Sequence, residues 1–162
     1  MSRVFDAREG RFGRAYEEFT VGDVYRHWPG KTITEAEDHL CCLMTMAASP
    51  VHVDAQFASE EMEGGRNLVV GTFVYALLLG MSVPDTSGRA IAAFGTESLR
   101  HTAPLYHGDT LYGETEVVEK RLSRSRPGTA VVTIETRGRN QDGVVVCEFR
   151  RSFLLPTGAA AA

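Results

Sequence analysis

The sequence predicts an α+β fold in which an antiparallel sheet wraps around one central hydrophobic helix. Three observations predict it. Residues 72–81 are apolar on nearly every side, the pattern of a helix inside a core rather than on its surface. From Arg89 onward the pattern changes to strand-like runs separated by turn residues. The chain is 162 residues long with 43% hydrophobic side chains, enough for one core and one domain.

The elements follow in order. Residues 1–13 are charged and read as a flexible N-terminus, and 157–162, ending in alanines, read as a flexible tail. Between them, residues 14–156 form the domain. Residues 21–28 read as a short strand bounded by Gly22 and the Pro29-Gly30 turn. Thr34-Glu35-Ala36-Glu37 is a capping box: the Thr34 hydroxyl accepts from the amide three residues on, and Glu37 reaches back. Ala36, Leu40, Leu43, Met44 and Ala47 then fall on one apolar stripe. Pro50 ends this helix, because the residue before a proline is pushed out of the α region. Residues 49–53 read as a loop leading to Asp54, which caps a second helix over 55–62. The buried helix follows. Strands are predicted over 90–99, 110–120, 130–137 and 144–155, joined by turns at Arg126-Pro127-Gly128 and Asn140-Gln141-Asp142-Gly143. In the last strand Val145, Cys147, Phe149, Phe153 and Leu155 mark the buried face.

Composition excludes several classes. A net charge of −4 without a clustered basic face argues against nucleic acid as a partner. The longest apolar run is interrupted by Gly80 and falls far short of the roughly 20 residues that span a bilayer. No secretory pattern opens the sequence. Three cysteines, two of them adjacent at Cys41 and Cys42, fit free thiols in a reducing cytoplasm. His39 beside that pair lacks C-x-x-C spacing, so no metal is expected. No cofactor is expected either. His101 and His107 flank Pro104 and are read as surface residues. Trp28 is open between a core anchor and a lid.

The stretch Thr45-Met46-Ala47-Ala48-Ser49-Pro50-Val51-His52-Val53-Asp54 precedes Gly71, which opens the buried helix. Further on comes Pro104-Leu105-Tyr106-His107-Gly108-Asp109-Thr110-Leu111. Together these resemble the MaoC-like (R-specific enoyl-CoA hydratase, or hydratase 2) branch of the hot-dog family, with its D-x-N-P-x-H signature, helix-opening glycine and P-x-x-x-G-D-T-L segment. The likeness covers most of the chain. It looks closest to dicarboxylic acyl-CoA members such as mesaconyl- and itaconyl-CoA hydratases, through Met44-Thr45-Met46 and Asn140-Gln141-Asp142-Gly143.

The resemblance implies a single hot-dog domain and an acyl-thioester substrate carried on coenzyme A or a carrier protein. It also implies pairing into a homodimer or a dimer of dimers, with sites near the subunit interface. Adding water to a 2-enoyl thioester needs a base for the water, a proton for the α-carbon and donors for the charge on the thioester oxygen. An imidazole suits the proton work, and an amide at a helix N-terminus suits the oxyanion. On this basis His52 is the acid/base, the Gly71 amide is the oxyanion donor, and Ser49 is a partner of water or substrate. Pro50, Val51, Asp54 and Thr72 complete the substrate-binding set. The family's catalytic aspartate falls on Ala47 and its asparagine on Ser49, so one of the two usual acid–base groups is missing. Asp54 is the nearest acid in sequence, but a cap role also accounts for it. Lys120, Arg121, Arg124 and Arg126 form either a solvated turn or an attractor for coenzyme A phosphates or an acidic carrier helix. Two other functions stay open: a thioesterase relying on a carboxylate, and a non-catalytic acyl-binding or partner-binding scaffold.

Overall fold

The computed structural model describes residues 4–6 and 12–158. Its element order is β1 (Val4–Asp6), β2 (Val24–Arg26), β3 (Lys31–Thr32), α1 (Glu35–Thr45), α2 (Pro50–Val53), α3 (Ala55–Glu61) and α4 (Gly71–Ser82). Then come β4 (Ala92–His101), β5 (Thr110–Leu122), β6 (Thr129–Arg139) and β7 (Val145–Pro156). The strands form a seven-stranded sheet in the order β1-β2-β5-β6-β7-β4, with β3 paired to β5. All pairings are antiparallel except β1 with β2. The predicted strands over 90–99, 110–120, 130–137 and 144–155 match β4 to β7 to within a few residues. Their turn chemistry is local. Asn140 Oδ1 accepts from the amides of Asp142 and Val144, and Gly143 takes a positive φ of 79° that a side chain would resist. Within the stretch read as a flexible N-terminus, Val4–Asp6 pairs with β2. Residues 7–11 and 159–162 lie outside the described residues.

α4 lies across the inner face of the sheet. Val74 and Leu78 are buried there with Ile33, Leu111, Val146 and Phe149. The close approach requires glycine at two facing positions. Gly113 and Gly138 pair across β5 and β6, and a Cβ on Gly138 would stand 2.5 Å from the Leu78 side chain. A second cluster, built on Phe19, Tyr25, Val132, Ile134 and Phe153, fills the other end of the sheet.

Two expectations change, and α1 turns a face that its sequence leaves open. The helix predicted to be buried all round hides only Val74, Leu78 and Ser82 fully; Thr72, Ala76 and Gly80 face outward. The capping box on α1 is present as predicted and is worth about 1 kcal/mol. Its apolar stripe, however, points away from the core: Leu40, Leu43 and Met44 are more than half exposed, while Asp38 and Cys42 are buried. The helix turns that way because the Asp38 carboxylate is bound on both oxygens inside the fold, a stronger constraint than the stripe. Finally, residues 49–53 are not a loop. Pro50 sits at the first position of the short helix α2, where its missing N–H costs nothing.

The far end of α4 is closed by polar groups. His27 Nδ1–H donates to Asp85 at 2.7 Å, and its Nε2 lies 2.7 Å from Thr115 Oγ1, which meets Thr136 Oγ1 at 2.8 Å. Arg151, on the inner face of β7, donates to Ser82 Oγ and Ser87 Oγ at 2.8 and 2.9 Å.

Candidate active site

The segment from Asn67 to Val70 builds the site. The Leu68 amide donates to the Val51 carbonyl, and the Val69 amide to the Leu105 carbonyl. In return the Leu68 carbonyl accepts from His52 Nδ1 at 2.7 Å. A carbonyl can only accept, so Nδ1 carries the proton and the Nε2 lone pair is left for chemistry. The buried Asn67 amide donates to three carbonyls of the turn that carries His52: Val51 and Asp54 at 3.2 Å and Pro50 at 3.5 Å. Asn67 was missed in the sequence. A single asparagine before a short apolar run carries no motif, and only the fold shows what it grips.

The same segment opens α4. The Val70 amide donates to Asp38 Oδ1 at 3.0 Å, and Asp38 Oδ2 accepts from His107 Nε2 at 2.9 Å. With Val70 so occupied, the amides of Gly71 and Thr72 meet no acceptor among the described residues. They are free donors at the positive end of the helix dipole, the arrangement that binds an oxyanion. His107 is therefore not the surface residue expected: its side chain is only 12% exposed and locked to Asp38. His39 meets its edge, with ring centroids 5.6 Å apart.

A cleft of about 480 Å³ opens at this helix end, lined by Leu68, Gly71, Val74, His101, Ala103 and Val146 among others. His101 is exposed, as expected, but it belongs to the cleft. A Cβ on Gly71 would stand 2.8 Å from His101 Nε2. His52 is half-buried and reaches the cleft wall through Leu68. Ser49 is the N-cap position of α2, exposed and without a side-chain cap bond. Pro50 and Val51 offer their carbonyls to the Asn67 network rather than to the cleft. Asp54 Oδ1 accepts from the Phe57 amide at 3.0 Å and caps α3, so its carboxylate has a structural task. Thr72 is exposed beside Gly71. Ala47 follows the left-handed end of α1, where Met46 has φ 59°.

Asp109, in the P-x-x-x-G-D-T-L segment, braces the loop beneath. Burial pushes its carboxyl up, but the Tyr106 amide, Arg66 and Gln141 together hold it below its ordinary value. Of the predicted basic cluster, Lys120 donates to the Tyr16 and Phe19 carbonyls. Arg121, Arg124 and Arg126 border a larger groove of about 900 Å³ on the outer sheet face. That groove carries the carboxylates of Glu97 and Glu119 but no imidazole, whereas the smaller cleft sets the His101 imidazole beside the first amide of α4. Trp28 is 55% exposed and is not a core anchor.

The mesaconyl-CoA hydratase family model matches residues 1–162, the whole chain. The chain belongs to the mesaconyl-CoA hydratase family. It is 28% identical over 158 residues to a mesaconyl-CoA hydratase of Haloarcula marismortui, covering 97% of this chain and 43% of that one. The chain thus spans about two fifths of the length of the curated relatives it matches. A solved MaoC-domain protein of Chloroflexus aurantiacus, described as a dehydratase, superposes with a TM-score of 0.85 at 28% identity, over 95% of this chain and 43% of that one. A solved R-hydratase of Pseudomonas aeruginosa superposes with a TM-score of 0.73 at 27% identity, over 89% and 86% of the two chains. The fold is the hot-dog fold, as the sequence resemblance implied. No helix among the described residues is long and apolar enough to cross a membrane.

Proposed function

We propose that this chain is a hydratase/dehydratase of CoA-linked 2-enoyl thioesters, favouring short dicarboxylic acyl groups, and that it works as a pair of hot-dog domains in the cytoplasm. One observation carries the reading. His52 and the free amides of Gly71 and Thr72 hang from the same four-residue segment, so a base and an oxyanion site are held at fixed separation. In the hydration direction His52 Nε2 takes a proton from water as its oxygen bonds to the β-carbon. The π pair moves toward the α-carbon and the thioester oxygen, where the helix-end amides hold the charge until the α-carbon takes up a proton and the thioester is restored. Dehydration runs the same steps in reverse. The R-hydratase match over most of both chains supports this chemistry for a chain of this length. The family match supports the dicarboxylic acyl group. No carboxylate lines the cleft among the described residues, which counts against the thioesterase.

Pairing is supported by surface that a lone domain leaves bare. The outward stripe of α1, the ten-residue edge strand β4 and the Thr72–Ala76–Gly80 face of α4 all await cover. A second copy of the chain is the partner that fits. The cytoplasmic assignment rests on three free thiols.

The test is turnover of mesaconyl-CoA and crotonyl-CoA by the purified protein. His52→Ala lowers kcat by about 100-fold or more without changing the folded signal. Turnover indifferent to His52→Ala sinks the mechanism, and release of free thiol in place of hydration identifies a thioesterase. Ala47→Asp, which restores the acid of the wider family, raises the rate if only that group was lost.

A further inference from the structure

The cleft is lined by an imidazole, His101, that the sequence pattern places on the surface. We propose that His101 is the α-carbon acid/base of this cleft, taking the part that Ala47 cannot play; this rests on the hydratase reading above. Strand register sets its side. On β4, His101 pairs with Cys147 and Thr96 pairs with Arg151, and both partners are buried. His101 therefore projects from the inner face, toward α4, while Arg100 beside it pairs with Glu148 on the outer face. The ring tip closes on the start of the helix: Cε1, Nε2 and Cδ2 are the atoms nearest a Cβ placed on Gly71, at 3.0, 2.8 and 3.2 Å. Nothing among the described residues hydrogen-bonds this ring, in contrast to His27, His52 and His107, each held by a partner. An imidazole held in place by packing but unpaired at nitrogen is equipped to exchange a proton with a ligand.

The place also suits the reaction. If the Gly71 amide holds the thioester oxygen, the acyl α-carbon lies two bonds away, beside the group that packs against Gly71. In hydration the His101 imidazolium gives its Nε2 proton to the α-carbon as the enolate collapses, while His52 holds the proton taken from water. Solvent returns that proton from His52 to His101, so the sum is one water added across one double bond. In dehydration His101 removes the α-proton, the π bond forms, and hydroxide leaves as water with a proton from His52. The glycine at 71 follows from the same geometry: any side chain there would meet the ring.

The experiment uses crotonyl-CoA hydration and dehydration of α-deuterated 3-hydroxybutyryl-CoA. His101→Gln is expected to lower kcat about 100-fold or more, to leave KM within threefold and to raise the primary isotope effect on α-C–H cleavage. Added imidazole is expected to restore part of the rate to His101→Gly, since the position is open to solvent. Arg100→Gln, on the other face, keeps wild-type kinetics. Unchanged kcat in His101→Gln overturns the inference while leaving the hydratase reading intact. A change in KM alone, without imidazole rescue, makes His101 a binding residue and equally overturns it. If wild-type protein turns over neither enoyl-CoA, the hydratase reading fails first and this inference falls with it.

Discussion

At its first turn α4 presents the Gly71 and Thr72 amides to an open cleft, with His101 unpaired beside them. At its last turn Ser82, Thr86 and Ser87 take the Arg151 guanidinium inside the fold, and His27, Asp85, Thr115 and Thr136 form a closed chain nearby. Both ends are polar, and both respect the helix dipole: free donors at the positive end, a cation at the negative end. They differ in whether the polar groups are spent. At the far end the groups satisfy one another, apart from Arg151 Nε, which is buried without a hydrogen-bond partner among the described residues. Burial there draws the Arg151 pKa down to about 10. At the near end, Asp38 satisfies only the amide before the helix and leaves the next two for a ligand. The proposed site sits at the end where the polar network stops short of the helix amides.

Substitutions can break or sharpen this contrast. The largest effect is expected from Asp85→Ala, which strands His27 in the core. It should cost about 3 kcal/mol in chemical denaturation while kcat per folded molecule stays at the wild-type value. A fall in kcat would mean that the two ends are coupled. Asn67→Ala acts at the other end. It removes the amide that grips the His52 turn, and should lower stability by about 1–2 kcal/mol but kcat tenfold or more, measured on the folded fraction at saturating crotonyl-CoA. The smallest effect is expected from Arg151→Met. Arg151 meets hydroxyls and no carboxylate among the described residues, and such a buried cation is readily replaced by an apolar chain, so thermal melts should show a change within about 1 kcal/mol in either direction, with kinetics unaffected.

Much of the architecture was legible because it is written locally. The Thr34 and Asp54 caps, the Asn140–Gly143 turn and the alternation along β7 each need only neighbouring residues, and each is present. His52 stands out through a motif, and the structure shows its Nδ1 donating to the Leu68 carbonyl, which fixes the ring. What escaped depends on elements far apart in sequence. The facing of α1 was not legible, because its stripe obeys helical period equally well whether it meets the core or another chain. His101 and His107 stand six residues apart and look alike in sequence. Yet β4 register turns one into the cleft, and a loop brings the other 2.9 Å from Asp38, sixty-nine positions away. Asn67 grips only backbone carbonyls, and Asp38 takes a backbone amide on one of its oxygens; backbone groups leave no trace in composition.

Asn67–Val70 has a consequence for how such a domain can diversify. His52 and the α4 amides share this one short tether, so a shift of the surrounding walls carries both together and leaves their spacing unchanged. Ala103 and Val146 also line the cleft but stand outside this tether, so replacements there change the room for the acyl chain of the proposed reaction while His52 and the amides keep their places.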